Sequence, residues 1–466
     1  MLGEWLFWLL AAVHRELLLV AAVGLALGGL DDLLIDIVYF LRRGWRDMSV
    51  YTRHRRMTSD TLPPSTAPGR IAVFTPAWKE ANVIGPMLRH ALAAWGDADY
   101  MIFVGVYPND RDTIEVVARV AADNPRIIMA INDRLGPTTK ADCLNTLWRA
   151  LLREEARAGT PFKAVALHDA EDVVHADEIR LFDHLIDRFT LVQLPVLPLR
   201  GRGGWLARAV SDHYGDEFAE SHGKGLIVRE ALGASIPSAG VACAFSRNAL
   251  AMLEETGRGG PFDPQSLTED YEAGLRVRER GGKGVFVRMR DRAGKLVAAR
   301  EYFPDSIETA VRQKARWMVG ISLAGWDRMG WGGGVGEIWM RLRDRRATLA
   351  ALVLVAAYGT LILWPLLWLA DWAGWQPMPS RSPTMQGLLG LNLILMLWRV
   401  AMRIIFSGRA YGWRYGLAAA PRMLVANLIA ILAARRALFL YGRSLLGTPL
   451  KWDKTQHRFP QSAADI

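Results

Sequence analysis

Two acidic motifs in the middle of the chain carry side chains suited to group-transfer chemistry. Asp169 and Glu171, in the sequence DAED, are two positions apart, so both can point the same way after a strand and offer oxygen ligands to Mg²⁺ or Mn²⁺. Glu269 and Asp270 follow Thr268, which is placed to cap a predicted helix. The first motif predicts a metal site and the second a general base. Taken alone, the first could also be a solvated acidic turn, and the second could also be a simple helix cap.

A third motif, QKARW, places Gln313, Arg316 and Trp317 at positions i, i+3 and i+4, so that a helix presents all three on one face. Such a face can close a binding pocket. An amphipathic helix at a membrane surface, with Arg and Trp as headgroup anchors, is the alternative, and the two interpretations are compatible.

The elements that must position these motifs alternate between β-rich and helical patterns over residues 68–325, which predicts a layered α/β domain with a largely parallel sheet. Ligands of such sheets bind beyond the carboxyl ends of the strands. Glu80, Asn109, Asp110 and the DAED motif all follow predicted strands. Because several carboxylates in one crevice raise each other's pKa and destabilise the fold, their grouping favours a bound divalent cation.

The flanks of this domain are apolar, in a chain of 466 residues that is 51% hydrophobic. Residues 347–370 lack any charge and residues 385–406 are long enough to cross a bilayer, so both are predicted spans. A third predicted span near the N-terminus contains Asp31, Asp32 and Asp36, which we expect to pair with basic residues of the next segment; a polar track for a substrate is the alternative. Residues 423–434 are too short to span and favour an interfacial or re-entrant helix.

Arginine clusters adjoin the predicted spans and give the orientation. By the positive-inside rule they place the middle domain in the cytoplasm, and much of the net charge of +10 is then attraction to anionic lipid. No aromatic-interleaved basic groove is present, so nucleic acid is not an expected partner. Cys143 and Cys243 lack the spacing of a zinc site or a disulfide framework.

The ordered motifs TPAWKE, YPND, KADCLN, DAED, TED and QKARW resemble the family 2 glycosyltransferases, specifically the processive, membrane-embedded polysaccharide synthases, over roughly residues 70–320. The segments GGLDDLLIDIVYFLRR and PLKWDKTQHRFP further resemble the bacteriophage adsorption protein B group of that family. The resemblance implies an α/β GT-A fold, with a Rossmann-like mixed sheet, flanked by transmembrane helices. It divides the chain into an N-terminal membrane helix and linker (1–67), a cytosolic GT-A domain (68–330), and an interfacial helix with C-terminal transmembrane or re-entrant helices (331–466).

The resemblance also implies roles for individual residues. The nucleotide sugar is bound by one set: Ala77, Glu80, Asn109, Asp110, Lys140 and Asp169. Asp169 and Glu171 stand at the DxD positions that hold Mg²⁺ or Mn²⁺, the second acid being Glu here. Asp270, with Glu269 beside it, stands at the catalytic base. Gln313, Arg316 and Trp317 face the acceptor, the product and the diphosphate.

Together these features predict an inverting, metal-dependent transferase that uses a nucleotide sugar, with UDP the expected nucleotide, to elongate a polysaccharide at the bacterial inner membrane. Its expected partners are the donor, a polysaccharide or lipid-linked acceptor, membrane lipids, and an outer-membrane or periplasmic export protein. Two alternatives remain open: a single-transfer enzyme acting on a lipid carrier, and a catalytically silent membrane scaffold or receptor subunit of an export complex.

Overall fold

The protein is built on a seven-stranded mixed sheet with helices on both faces, seen in a computed structural model that describes residues 2–255, 257, 259–447 and 458–460. The strands are β1 Ile71–Pro76, β2 Tyr100–Val106, β3 Ile127–Ile131, β4 Ala164–Leu167, β5 Leu191–Gln193, β6 Val196–Pro198, β7 Cys243–Ser246, β8 Gly284–Phe286 and β9 Ala299–Glu301. The main sheet has the order β3-β2-β1-β4-β7-β5-β8, and β6 pairs with β9 in a small second sheet.

The helices divide into a shorter set, which includes those that cover the sheet, and a set of long apolar helices. The first set is α2 Ile84–Trp95, α3 Arg111–Ala122, α4 Lys140–Ala158, α5 Glu178–Leu185, α6 Trp205–Glu220, α7 Leu226–Ala231, α8 Arg247–Glu254, α9 Glu269–Glu279, α10 Ile307–Trp317, α11 Ala324–Met329 and α12 Val335–Arg345. The second set is α1 Leu2–Ser49, α13 Ala347–Trp372, α14 Pro383–Tyr411 and α15 Trp413–Leu445. Two π-helical turns, Ser221–Gly225 and Met318–Leu323, interrupt the first set after α6 and α10.

The predicted parallel half of the sheet is confirmed. Strands β3, β2, β1 and β4 are parallel neighbours. Each lies within a segment that the sequence pattern predicts to be a strand. Strand β7 is antiparallel to both β4 and β5, which makes the sheet mixed. All six residues of β1 are buried because both faces of the sheet are covered.

Among the described residues, four helices are long and apolar enough to cross a membrane: α1, α13, α14 and α15. The fourth corrects the expectation that residues 423–434 belong to a segment too short to span, because they form the middle of the 33-residue helix α15. The apolar run looked short because Arg422 interrupts it, but the Arg422 guanidinium forms two 2.8 Å hydrogen bonds to the Asp216 carboxylate on α6. Contacts with the α/β domain continue to Tyr441, which donates to Asp327 at 2.6 Å. That α15 is interfacial stays a prediction, which these contacts favour.

The three acids of α1 form ion pairs, as expected, but their partners are distant in sequence. Asp31 and Asp32 bind Arg343 and Arg346, and Arg343 lies 2.9 Å from Asp32. The carboxylate of Asp36 binds Lys224 of the first π-helical turn. It also accepts a hydrogen bond from the Trp398 indole at 2.8 Å. These contacts join α1 to α12, α14 and the α/β domain. Arg343 and Arg346, and also Arg341 through Glu337, therefore pair with carboxylates of the protein.

Candidate active site

A cavity of about 690 Å³ lies at the carboxyl end of the parallel strands, where the sequence predicted a ligand site. Nine of the predicted site residues line it: Glu80, Lys140, Asp169, Glu171, Glu269, Asp270, Gln313, Arg316 and Trp317. They come from the ends of β1 and β4 and from the first or last turns of α4, α9 and α10. The fold therefore gathers residues that are more than two hundred positions apart in the chain.

The DAED turn is held in place from behind by a buried network. The carboxylate of Asp172 accepts from the backbone N–H of Asp169 at 3.1 Å and contacts the imidazole of His168 at 2.8 Å. Burial alone would lower the pKa of His168, but the carboxylates of Glu178 and Asp172 raise it to about 10. His168 is therefore a cation between two acids and stabilises the turn from which Asp169 and Glu171 enter the cavity.

Lys140 is the first residue of α4, whose N-terminus is capped by the Thr139 hydroxyl accepting from the backbone N–H of Asp142. Its ammonium lies 2.6 Å from the Asp169 carboxylate. Burial alone would lower the pKa of Lys140, but Asp169, Glu269 and Asp270 raise it above its ordinary value. The ammonium therefore stays charged and balances the three carboxylates around it.

Asp270 enters the cavity from the first turn of α9. Its carboxylate accepts from the backbone N–H of Tyr271 at 2.8 Å. Burial raises the pKa of Asp270 and that of Glu269, while Lys140 opposes the shift in both. The predicted cap is wrong in one respect: Thr268 precedes the helix, but its side chain makes no capping hydrogen bond in the described structure.

The QKARW face is present on α10 and carries polar atoms without protein partners. The Gln313 side-chain oxygen and the Arg316 Nε are both buried and have no hydrogen-bond partner among the described residues. Buried polar atoms are normally paired, so their presence at a cavity wall indicates groups that a bound ligand satisfies. The Trp317 ring packs edge-on against Tyr214 with centroids 6.0 Å apart, which fixes its orientation.

Three of the predicted nucleotide-binding residues do not belong to the described lining of the cavity: Ala77, Asn109 and Asp110. Asp110 caps α3 and accepts from the backbone N–H of Lys79 at 2.5 Å. Asn109 exchanges two 2.8 Å hydrogen bonds with the backbone of Gly136. Both side chains thus fix the loops beside the cavity, and their contact with a nucleoside stays a prediction.

Two features of the site were missed in the sequence. Gly240, at φ +75°, leaves the space that the Asp270 carboxylate fills. Arg458 and Phe459 line the cavity from the far end of the chain, and the Arg458 guanidinium lies 3.4 Å from Asp305. The run of small residues around Gly240 was a usable signal for a close approach of the backbone, whereas the return of Arg458 to the site is a tertiary contact without a local signal.

The described residues contain no cluster of three or more His, Cys, Asp or Glu side chains able to hold a metal ion by themselves. Asp169 and Glu171 nevertheless fit Mg²⁺ or Mn²⁺ when a ligand supplies further oxygens, because such ions are commonly held by one or two carboxylates together with substrate phosphates. The cavity provides the space for such a ligand next to both acids.

Comparison with known proteins bears on the same region. The family model "Glycosyltransferase like family 2" matches residues 68–320. Bacteriophage adsorption protein B and bacteriophage N4 adsorption protein B, both from Escherichia coli, are each 38% identical over 490 residues, which covers 99% of this chain and 64% of theirs. A mannosyltransferase from Pyrobaculum calidifontis, solved with GDP-Man and Mn²⁺, shares the fold with a TM-score of 0.50 and 17% identity, covering 92% of this chain and 99% of that one.

Proposed function

Because the chain belongs to glycosyltransferase-like family 2, we propose that it is an inverting, metal-dependent transferase that elongates a polysaccharide from a nucleotide sugar at the inner membrane. One observation carries the proposal: the acids Asp169, Glu171 and Asp270 share a single cavity with the cations Lys140 and Arg316. That set supplies each charge which displacement of a nucleoside diphosphate requires.

The donor side is formed by Asp169, Glu171 and Lys140. A divalent ion bound to the two carboxylates would neutralise charge on the leaving diphosphate. Lys140, kept protonated by its acidic neighbours, donates to the same oxygens and replaces its contact with Asp169 by one to the ligand. UDP as the nucleotide and the contacts of Ala77, Asn109 and Asp110 rest on the family resemblance alone.

The acceptor side is formed by Asp270 and the α10 face. The Asp270 carboxylate takes the proton of the acceptor hydroxyl while that oxygen attacks the anomeric carbon opposite the leaving diphosphate, which inverts the configuration. Arg316 stabilises the departing charge and Gln313 bonds sugar hydroxyls. Trp317 offers an apolar ring wall for stacking against a sugar. Glu269, beside Asp270, raises the local negative charge and supports its basicity.

Polysaccharide elongation is supported by the apolar helices that pack against the domain containing the cavity. Helix α10, which carries the acceptor face, packs along α15, and α1, α13 and α14 pack together beneath the domain. We place the catalytic domain, 68–330, in the cytoplasm, between the membrane segments 1–67 and 331–466. The relatives carry the name of phage adsorption proteins, and a surface polysaccharide is one kind of structure to which a phage can adsorb.

The test is transfer by the purified full chain in detergent, screened over nucleotide sugars with Mg²⁺ or Mn²⁺ and with a chelator. We expect nucleoside diphosphate release with one donor, its loss on chelation, and a fall of about 10²- to 10⁴-fold in Asp270→Asn. Asp112→Asn, an exposed acid in the first turn of α3, is the matched control and should retain full activity.

The products separate the remaining alternatives. A ladder of lengths supports elongation, whereas a single added sugar on a lipid acceptor supports the single-transfer enzyme. Release of no diphosphate from any donor, by wild type or variant, supports the scaffold and overturns the proposal. Full activity in Asp270→Asn refutes the role of Asp270.

A further inference from the structure

A second cleft of about 680 Å³ lies on the opposite side of β6 from the candidate active site and is lined by seven arginines. The end of α1 contributes Arg42, Arg43 and Arg46, the segment after β8 contributes Arg288 and Arg290, and α14 contributes Arg409. Within the described lining, one carboxylate, that of Glu230, faces them. We name this the arginine cleft.

Neutral groups hold several of these guanidinium groups in place. Arg46 donates to the Tyr51 hydroxyl at 2.7 Å, and Arg56 lies 4.0 Å above the Tyr51 ring. Arg288 donates to the backbone carbonyls of His222 and Gly223, at 3.2 and 3.1 Å, on the first π-helical turn. A π-helical turn leaves carbonyls outside the regular ladder, which is how the backbone here accepts from Arg288. Arg46 and Arg288 are thus held by neutral groups, and among the described residues neither forms a salt bridge.

The carboxylates near the cleft are too few to balance it. Glu230 lies 3.9 Å from Arg42, and Asp47 reaches Arg43 at 3.7 Å and Arg56 at 2.6 Å. In the part of the chain that the structure describes, no salt bridge reaches the guanidinium groups of the other four lining arginines: Arg46, Arg288, Arg290 and Arg409. The Nε of Arg42 is buried without a hydrogen-bond partner. A cleft whose walls are lined by positive charge concentrates an electrostatic potential that attracts anions.

We propose that the arginine cleft binds a phosphate-bearing ligand, either the headgroup of an anionic lipid or a soluble phosphate compound. Arginine suits this chemistry because its planar donors match phosphate oxygens in pairs. The volume is that of a small-ligand site. Arg42 and Arg46 follow Asp36 on α1 by six and ten residues, which at 1.5 Å per residue places them about 9 to 15 Å beyond it.

The arginine cleft and the candidate active site share a wall. On β6, Val196 faces the active-site cavity and its neighbour Leu197 faces the arginine cleft, as alternation along a strand requires. Phe218 of α6 lines both. A ligand in the cleft therefore contacts the same strand that bounds the other cavity, but its binding needs no transfer reaction and is testable independently of the proposed function.

The experiment measures binding to the purified full chain by two probes. Inorganic pyrophosphate is titrated calorimetrically in detergent with a chelator present, and short-chain phosphatidylglycerol is compared with phosphatidylcholine by native mass spectrometry. The test variant is Arg46→Gln with Arg290→Gln. The control, Arg53→Gln with Arg55→Gln, removes the same charge from exposed residues outside the described lining.

We expect the test variant to weaken binding about tenfold or more, because each guanidinium makes a charge-assisted contact, while the control changes it less than twofold. Pyrophosphate binding without lipid binding assigns a soluble source, and the reverse assigns a lipid headgroup. Should the test variant fail to fold, Arg409→Gln, an exposed residue whose described contact is the Phe406 ring, replaces it. Binding of neither probe, or equal weakening in test and control, overturns the proposal.

Discussion

Replacing Gly240 by alanine tests whether the position of the Asp270 carboxylate controls the rate. A Cβ on Gly240 would lie 2.2 Å from Asp270 Oδ2 and 3.0 Å from its Cγ. Ordinary contacts begin near 3.4 Å, so the carboxylate must move by about 1 Å. A misplacement of that size costs about 10²-fold in rate, because a general base must lie within hydrogen-bond reach of its proton.

The same substitution has a backbone cost that must be separated from the effect on Asp270. Gly240 has φ +75°, and a Cβ in that region costs about 1–2 kcal/mol. Gly233 offers the control: its φ is +67°, and a Cβ there meets nothing within 4 Å. Gly233→Ala therefore carries the backbone cost without the collision.

The assay is donor turnover by both variants, with kcat and KM measured separately and thermal unfolding followed in detergent. We expect Gly240→Ala to lose about 10²-fold in kcat with little change in donor KM, since the proposed function assigns Asp270 to the acceptor hydroxyl. Gly233→Ala should lose stability alone. A folded Gly240→Ala with a kcat within twofold of wild type would refute the reasoning, as would an equal loss of kcat in Gly233→Ala.

Three further predictions follow from the ion pairs and pKa shifts. Burial raises the pKa of Asp270, so kcat/KM should rise with pH through a midpoint above the ordinary aspartate value of 3.8 and be lost below it; a pH–rate profile with a midpoint at or under 3.8 contradicts this. Asp36→Asn should cost about 3–5 kcal/mol of unfolding free energy in a detergent melt, because the side chains of Asp36 and its partner are 1% and 5% exposed, whereas Glu16→Gln, in an exposed pair, should change it by less than about 0.5. Asp172→Asn should lower stability by about 1–3 kcal/mol and weaken donor binding, because the neutral amide removes one of the two carboxylates that balance the buried His168 behind the DAED turn; unchanged donor affinity by calorimetry would argue against that link.

The strands of the sheet were predictable where the local sequence pattern also determines how neighbouring strands pair. The strands β1 to β4 are short apolar runs followed by helical periodicity, and parallel pairing follows from that alternation. The antiparallel insertion of β7 was not predictable, because a run of four residues carries no information on its partner. The order of the motifs predicted nine of the cavity residues. Each of these residues follows a strand or lies near an end of a helix, where a local pattern is informative.

The remaining parts of the site depend on contacts that no local pattern specifies. Asp110 matches a motif, yet its carboxylate caps a helix and holds the Lys79 backbone, a role the residue type permits equally well. The pairing of Asp31 with Arg343 joins residues more than three hundred positions apart. The length of α15 was underestimated because Arg422 was taken as the end of an apolar segment, when its charge is satisfied by Asp216.

The seam between α10 and α15 has a mechanical consequence. Ala315 and Val319, next to the QKARW face, pack on Ala433 and Ala437 of α15, and side chains this small bring two backbones close together. Short side chains at this contact allow little relative movement of the two helices. A tilt of α15 would therefore also displace Gln313 and Trp317. Because the proposed function puts α15 at the membrane, a change in bilayer thickness that tilted this helix would alter the cavity wall formed by Gln313 and Trp317.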